Sequence, residues 1–110
     1  MAQALDKSQW AHYCDRLSDV LESSNAEIEV ASLDLGNQIE AEWLPFHGIT
    51  YDDKDDIIDI ELEGLDHIIN HPQALRIDED FAGLTTLEIK DGDGIQHVVR
   101  LKEALALPRQ

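Results

Sequence analysis

Positive charge is scarce in this chain. Its 110 residues hold 8 Lys plus Arg against 24 Asp plus Glu, a formal net charge of −16. That balance excludes a nucleic-acid or anionic-membrane partner, because both are bound through cations that displace counterions or meet lipid head groups. Cysteine is nearly absent. One residue, Cys14, leaves no internal disulfide framework and fits a reducing, cytoplasmic setting. Aromatics make up 5% of the chain, so a core must be built from Leu, Ile, Val and Ala. No apolar run approaches the roughly 18 residues that a membrane helix needs. The opening MAQALDKSQW lacks the basic-then-apolar order of a secretory signal. The six glycines are scattered through the chain, so there is no glycine-rich phosphate loop.

What is present is a periodic hydrophobic pattern. Hydrophobic residues are 43% of the chain and fall in blocks, which a folded domain requires and a disordered chain lacks. The length fits one domain over residues 1–110. Residues 5–24 read as an amphipathic helix with a stripe of Trp10, Tyr13 or Cys14, Leu17, Val20 and Leu21. Asp6 and Gln9 are spaced for a capping box, and Leu5 and Trp10 for a hydrophobic staple. Asn25 suits a left-handed end. Cys14, on or beside the stripe, reads as a small buried hydrophobe.

From residue 26 the period falls to two, and residues 26–102 read as sheet. Glu27–Ser32, Ile39–Leu44 and Ile58–Leu62 alternate cleanly. Pro45 ends or kinks the second of these, and Gly48–Tyr51 resumes it. Gly64–Asn70 is open between strand and a short helix stopped by Pro72. Leu75–Asp78 reads as a short strand, and Phe81–Gly83 as a turn. Leu84–Lys90 and Ile95–Leu101 flank Asp91-Gly92-Asp93-Gly94, which predicts a hairpin. Residues 103–110 form an apolar tail. The expected class is α+β: one N-terminal helix on a curved, mainly antiparallel sheet of five to six strands, able to curl into a small, partly closed barrel.

The segments EIEVAS (from Glu27), IEAEWLP (from Ile39), GITYD (from Gly48) and EGLDH (from Glu63) resemble a family of small uncharacterised bacterial proteins, a domain-of-unknown-function family. The resemblance spans roughly residues 16–108. It implies a bacterial, intracellular, single-domain protein and brings no activity, cofactor or catalytic residue with it.

Two features bear on function. If the strands bury Ile28, Val30, Ile39, Ala41, Trp43, Ile58, Ile60 and Leu62, their other faces carry Glu27, Glu29, Glu40, Glu42, Asp59 and Glu61. Such a face is a solvated surface or a docking site for a basic protein, with salt-sensitive association. Lys90, Arg100 and Lys102 are placed to relieve part of its repulsion. His67 and His71 have H-x3-H spacing, and Asp66, Glu63 or His47 would have to complete a zinc site. The motif lacks the glutamate of H-E-x-x-H, and the pair reads as surface histidines beside a stop signal. The acidic runs at residues 52–56, 78–80 and 91–94 read as turns, since none has the ligand offsets of a calcium loop. No cofactor is implied. The resulting expectation is an acidic module for protein binding, regulation or self-association, with a small metal-dependent enzyme using His67 and His71 as the rival.

Overall fold

Charged and apolar residues alternate through most of the chain after residue 24, and that alternation produces strands with one buried face. A computed structural model describes residues 2–19, 24–32 and 36–105. The strands are β1 (Ala2–Ala4), β2 (Asn25–Ser32), β3 (Gly36–Asp52), β4 (Ile57–Leu62), β5 (Leu65–Asn70), β6 (Ala74–Asp80), β7 (Gly83–Lys90) and β8 (Gln96–Leu105). They form one eight-stranded sheet in the order β1-β6-β7-β8-β2-β3-β4-β5, with every pairing antiparallel. The sheet does not close: β1 and β5 are its two edges. The molecule is thus mostly β, with more strands than the five to six expected. The extra strands are β1, drawn from residues assigned to no element, and β5, where the open reading resolves to strand.

The helix is shorter than residues 5–24. A 3-10 turn, Lys7–Gln9, leads into α1 (Trp10–Ser18). The predicted stripe holds: Trp10, Tyr13, Cys14 and Leu17 are buried at helical spacing. The capping box does not form. The Asp6 carboxylate accepts from Ser8 Oγ instead, at 3.1 Å, while its carbonyl accepts the Gln9 N–H at 2.8 Å. Leu5 and Trp10 do meet, through Trp10 Nε1–H donated to the Leu5 carbonyl at 3.1 Å. Val20 and Leu21 lie outside the described residues, and Asn25 begins β2 rather than ending the helix. None of the helices among the described residues is long and apolar enough to cross a membrane.

β3 organises the fold. Its first half pairs with β2 and its second half with β4, so one 17-residue strand carries both halves of the sheet. Pro45 does not end it. The change of partner falls at Pro45 and Phe46, which pair with Asn25 and Leu62, just past Trp43, whose positive φ of 51° is unusual for a bulky residue. Two register shifts between β2 and β3 mark bulges before that point. Once β2 has ended, the exposed backbone of β3 needs another partner. Ser18, at the end of α1, supplies it: its hydroxyl accepts the Ile49 N–H at 2.9 Å and donates to the Ile49 carbonyl at 2.8 Å.

The bulges also overturn part of the expected burial. A bulge inserts one residue and inverts the parity beyond it. Ala41 is buried, but Ile39 pairs with Glu29 on the outer face and is 51% exposed, and Trp43 is 37% exposed. Elsewhere the inner rows are regular. Ile28, Val99, Leu87 and Ile77 lie in one cross-strand row, and Ile49 and Ile60 start another. The apolar tail splits. Leu105 belongs to β8 and packs against the core, and residues 106–110 lie outside the described residues.

Candidate functional site

A side-chain relay centred on the buried His97 joins the two halves of the sheet. His97 is in the inner row with Val30 and Ile89, and His67 is opposite Ile60. Both histidines thus occupy core positions of their strands, on opposite halves of a bent sheet, and they meet. His67 Nε2 and His97 Nδ1 are 2.9 Å apart. His97 Nε2 is 2.9 Å from Asp91 Oδ2. Asp91 also orders its turn: its Oδ1 accepts the Asp93 and Ile95 N–H groups at 2.9 and 3.0 Å.

The proton positions follow from chemistry. An ionised carboxylate only accepts, so His97 Nε2 donates to Asp91. With His97 neutral, its Nδ1 is an acceptor, and His67 Nε2–H donates to it. His67 Nδ1 is then left with a lone pair, the one basic atom of the relay not used within it. Burial and the neighbouring His97 hold the His67 imidazole below its ordinary pKa, against the pull of Glu40. Burial would raise Asp91, but hydrogen bonds from His97 and from the Ile95 and Asp93 backbone outweigh it and hold the carboxyl below the usual range.

The H-x3-H pair does not form. His67 bonds to His97, while His71, just past β5, has its Nδ1 3.5 Å from Asp56 Oδ2. Asp56 is shared further with the Tyr51 hydroxyl, at 2.8 Å, and with Lys7 Nζ, at 3.5 Å. The Tyr51 hydrogen bond leads the causes that lower the Asp56 pKa. Among the described residues no group of three or more His, Cys, Asp or Glu is placed to hold a metal ion, so His67, His71 and Asp66 do not make the zinc site the spacing allowed.

The acidic runs are mostly turns stabilised by their own carboxylates. Asp52 Oδ1 accepts the Lys54 N–H at 2.9 Å, and Asp80 Oδ1 the Ala82 N–H at 2.8 Å. Residues 78–80, expected as a turn, are the end of β6, and the turn follows them. Cys14 is fully buried, and burial, then Asp15, pushes its thiol up to about 12, which fits a packing role.

The six carboxylates of the expected acidic face are divided. Glu27 and Glu29 share one cation, Arg100, whose Nη1 is 3.0 and 2.7 Å from them, so their charge is offset in part. Glu40 and Glu42 sit in the bulged stretch of β3. Asp59 and Glu61 are on the β4–β5 wing, where Glu61 stands directly opposite Asp66. None of Asp59, Glu61 and Asp66 forms an ion pair with a described cation. Asp59 is the most stressed, with a buried Oδ1 that has no partner among the described residues. Burial first, then Asp66 and Glu61, raises its pKa. A raised carboxyl favours the folded state below its unfolded pKa and opposes it as pH rises through the folded one. Asp59→Asn is therefore expected to raise Tm by a few degrees at pH 7, with the gain shrinking toward pH 4. A melting series across that range checks it, and a lower Tm at pH 7 would contradict it.

The residues that sequence reasoning missed are His97 and Asp91. A signal existed: His97 shares parity with Val99 and Leu101, and His67 with Leu65 and Ile69, so each histidine holds a place the alternation gives to the core.

The comparisons agree with the resemblance. An uncharacterized protein of Aquifex aeolicus (strain VF5) is 37% identical over 107 residues, covering 96% of both chains. No solved structure matches the chain. The model of a family of unknown function, DUF5335, matches residues 1–110, and the chain belongs to that family.

Proposed function

We propose that this protein is a binding module that takes an extended, basic segment of another protein along β5. The observation that carries this reading is the uncompensated β4–β5 wing. Glu61 and Asp66 are opposed across adjacent strands, an arrangement that costs stability. Asp59 adds a third carboxylate on the same face, with Ile68 opposite it and 46% exposed. β5 is an edge strand of six residues, so its outer backbone groups are a template for an added strand. A Lys- or Arg-bearing strand laid there would relieve the repulsion and cover Ile68. Self-association through this wing is disfavoured, since it would place like charges together.

Fluorescence anisotropy tests it, using a labelled peptide of alternating Lys and Val and a Glu–Val control. The expected result is binding of the basic peptide only, weakened by salt. The double variant Glu61→Lys/Asp66→Lys, folded by circular dichroism, should lose at least tenfold in affinity. Equal binding of both peptides, no binding of either, or unchanged affinity in the variant overturns the proposal.

A further inference from the structure

The register of β5 decides which of its side chains an added strand would meet most closely. Leu62 and Leu65 pair across the two-residue turn Glu63-Gly64, so they close that hairpin with backbone hydrogen bonds. Bonded and non-bonded pairs then alternate, which makes Ile60–His67 and Ile58–Ile69 bonded pairs as well. The backbone groups of Leu65, His67 and Ile69 are thus spent on β4, and those of Asp66, Ile68 and Asn70 point outward. Asn70 agrees with this: its carbonyl accepts the Gly92 N–H of the β7–β8 turn, at 3.4 Å. An antiparallel strand added at β5 would therefore bond to Asp66 and Ile68. Its residue between those bonds would face His67 in a non-hydrogen-bonded pair, where Cα atoms are about 4.5 Å apart and side chains come closest.

His67 has an atom to offer there. Its Nε2 is engaged by His97, while Nδ1 has no partner among the described residues. Within those residues the buried side-chain N and O atoms without a partner are the Tyr13 hydroxyl and Asp59 Oδ1, so His67 Nδ1 is open to solvent. The β4 side is closed by Ile60, which is fully buried, and the open side is the edge. Nδ1 is also the ring nitrogen nearer the backbone, within reach of a short side chain opposite. The relay fixes its chemistry. Asp91 makes His97 Nδ1 an acceptor, which holds the His67 proton on Nε2, so His67 Nδ1 only accepts.

We propose, on the reading of β5 as a docking edge, that the bound segment carries a short hydroxyl side chain, threonine or serine, opposite His67, and that His67 Nδ1 accepts its hydrogen bond. The relay would then select one residue type at one position of the partner. A valine there would fill the space but leave Nδ1 without the partner it had in water. A carboxylate, which only accepts, would be refused. A lysine fits less well, because Leu65 and Ile69 flank His67 on the same face and would strip water from its ammonium group.

Two measurements on the parent chain decide it. In the free protein at about pH 7.5, a long-range ¹H–¹⁵N spectrum of the imidazole rings should show His67 Nδ1 without a proton. In fluorescence anisotropy, the peptide of alternating Lys and Val is compared with one whose central Val is Thr, a swap that keeps the branched shape and adds a hydroxyl. The Thr peptide should bind more tightly by about fivefold or more. His67→Phe, folded by circular dichroism, should bind the Val peptide and lose the preference for Thr. A proton on Nδ1 in the free protein, equal affinities for the two peptides, or a preference that survives in His67→Phe would overturn the proposal and leave the docking edge standing. Binding of neither peptide would overturn both.

Discussion

Replacing Trp10 with Ala is expected to cost about 3–5 kcal/mol, the range for deleting a large buried aromatic. Trp10 is 2% exposed and joins the helix to the second half of the sheet. Its ring meets Tyr51 edge-on at 5.2 Å between centroids, and Lys7 Nζ lies 5.5 Å from the ring centre. Its indole N–H also fixes the Leu5 carbonyl. Because the total stability of a domain is about 5–15 kcal/mol, the variant should be partly unfolded at 37 °C. Its Tm should fall on the order of 15 °C or more. Trp10→Phe keeps much of the packing and loses the hydrogen bond, so it should cost far less than the alanine. Urea unfolding of the three proteins measures both values. A loss below about 1 kcal/mol for the alanine would mean that α1 is not part of the cooperative core.

Asp91→Ala is expected to cost about 2–4 kcal/mol, because it orphans two partly buried donors and one exposed donor at once. The Asp93 and Ile95 N–H groups and His97 Nε2 all lose their acceptor. The relay further predicts how stability depends on pH. His67 has a lowered pKa in the fold, so its contribution is complete above about pH 6.5 and is lost as pH falls from there through the folded value. Asp91 also has a lowered pKa, so its contribution is complete above about pH 4 and is lost as pH falls through its folded value. Acidification should therefore weaken the protein in two stages. His67→Ala should remove the upper stage, and Asp91→Ala should shrink the lower, to which Asp56 also contributes. Melting temperatures from pH 8 to pH 3 for the three proteins give the answer. A wild-type Tm that is flat between pH 7 and pH 5 would show that the histidine pair does not hold the two halves of the sheet.

Local regularities explain what was legible. The two strongest alternations, in Ile58–Leu62 and in Leu84–Leu101, became β4 and the β7–β8 hairpin, because period-two burial is set by neighbours along the strand. The helical stripe at Trp10, Tyr13, Cys14 and Leu17 was legible for the same reason. Arg100 was also placed correctly beside acids of an adjoining strand. The failures have a different origin. Ile39 and Trp43 follow the alternation perfectly, yet two bulges turn them outward. A bulge is chosen by how two strands must fit together, and neither strand carries that requirement alone.

By itself, then, the sequence determined that the chain is acidic, that its core is aliphatic, and which segments alternate. Those properties depend on composition and on spacing over a few residues. Only the tertiary structure decided that β3 would bend from one half of the sheet to the other, because the bend requires β2, β4 and Ser18 as partners at once. It alone brought His67 to His97, 30 residues away, and divided the expected acidic face into a part that shares Arg100 and an uncompensated wing. Distances between side chains on opposite halves of a folded sheet depend on the path of the whole backbone, and no local pattern encodes them.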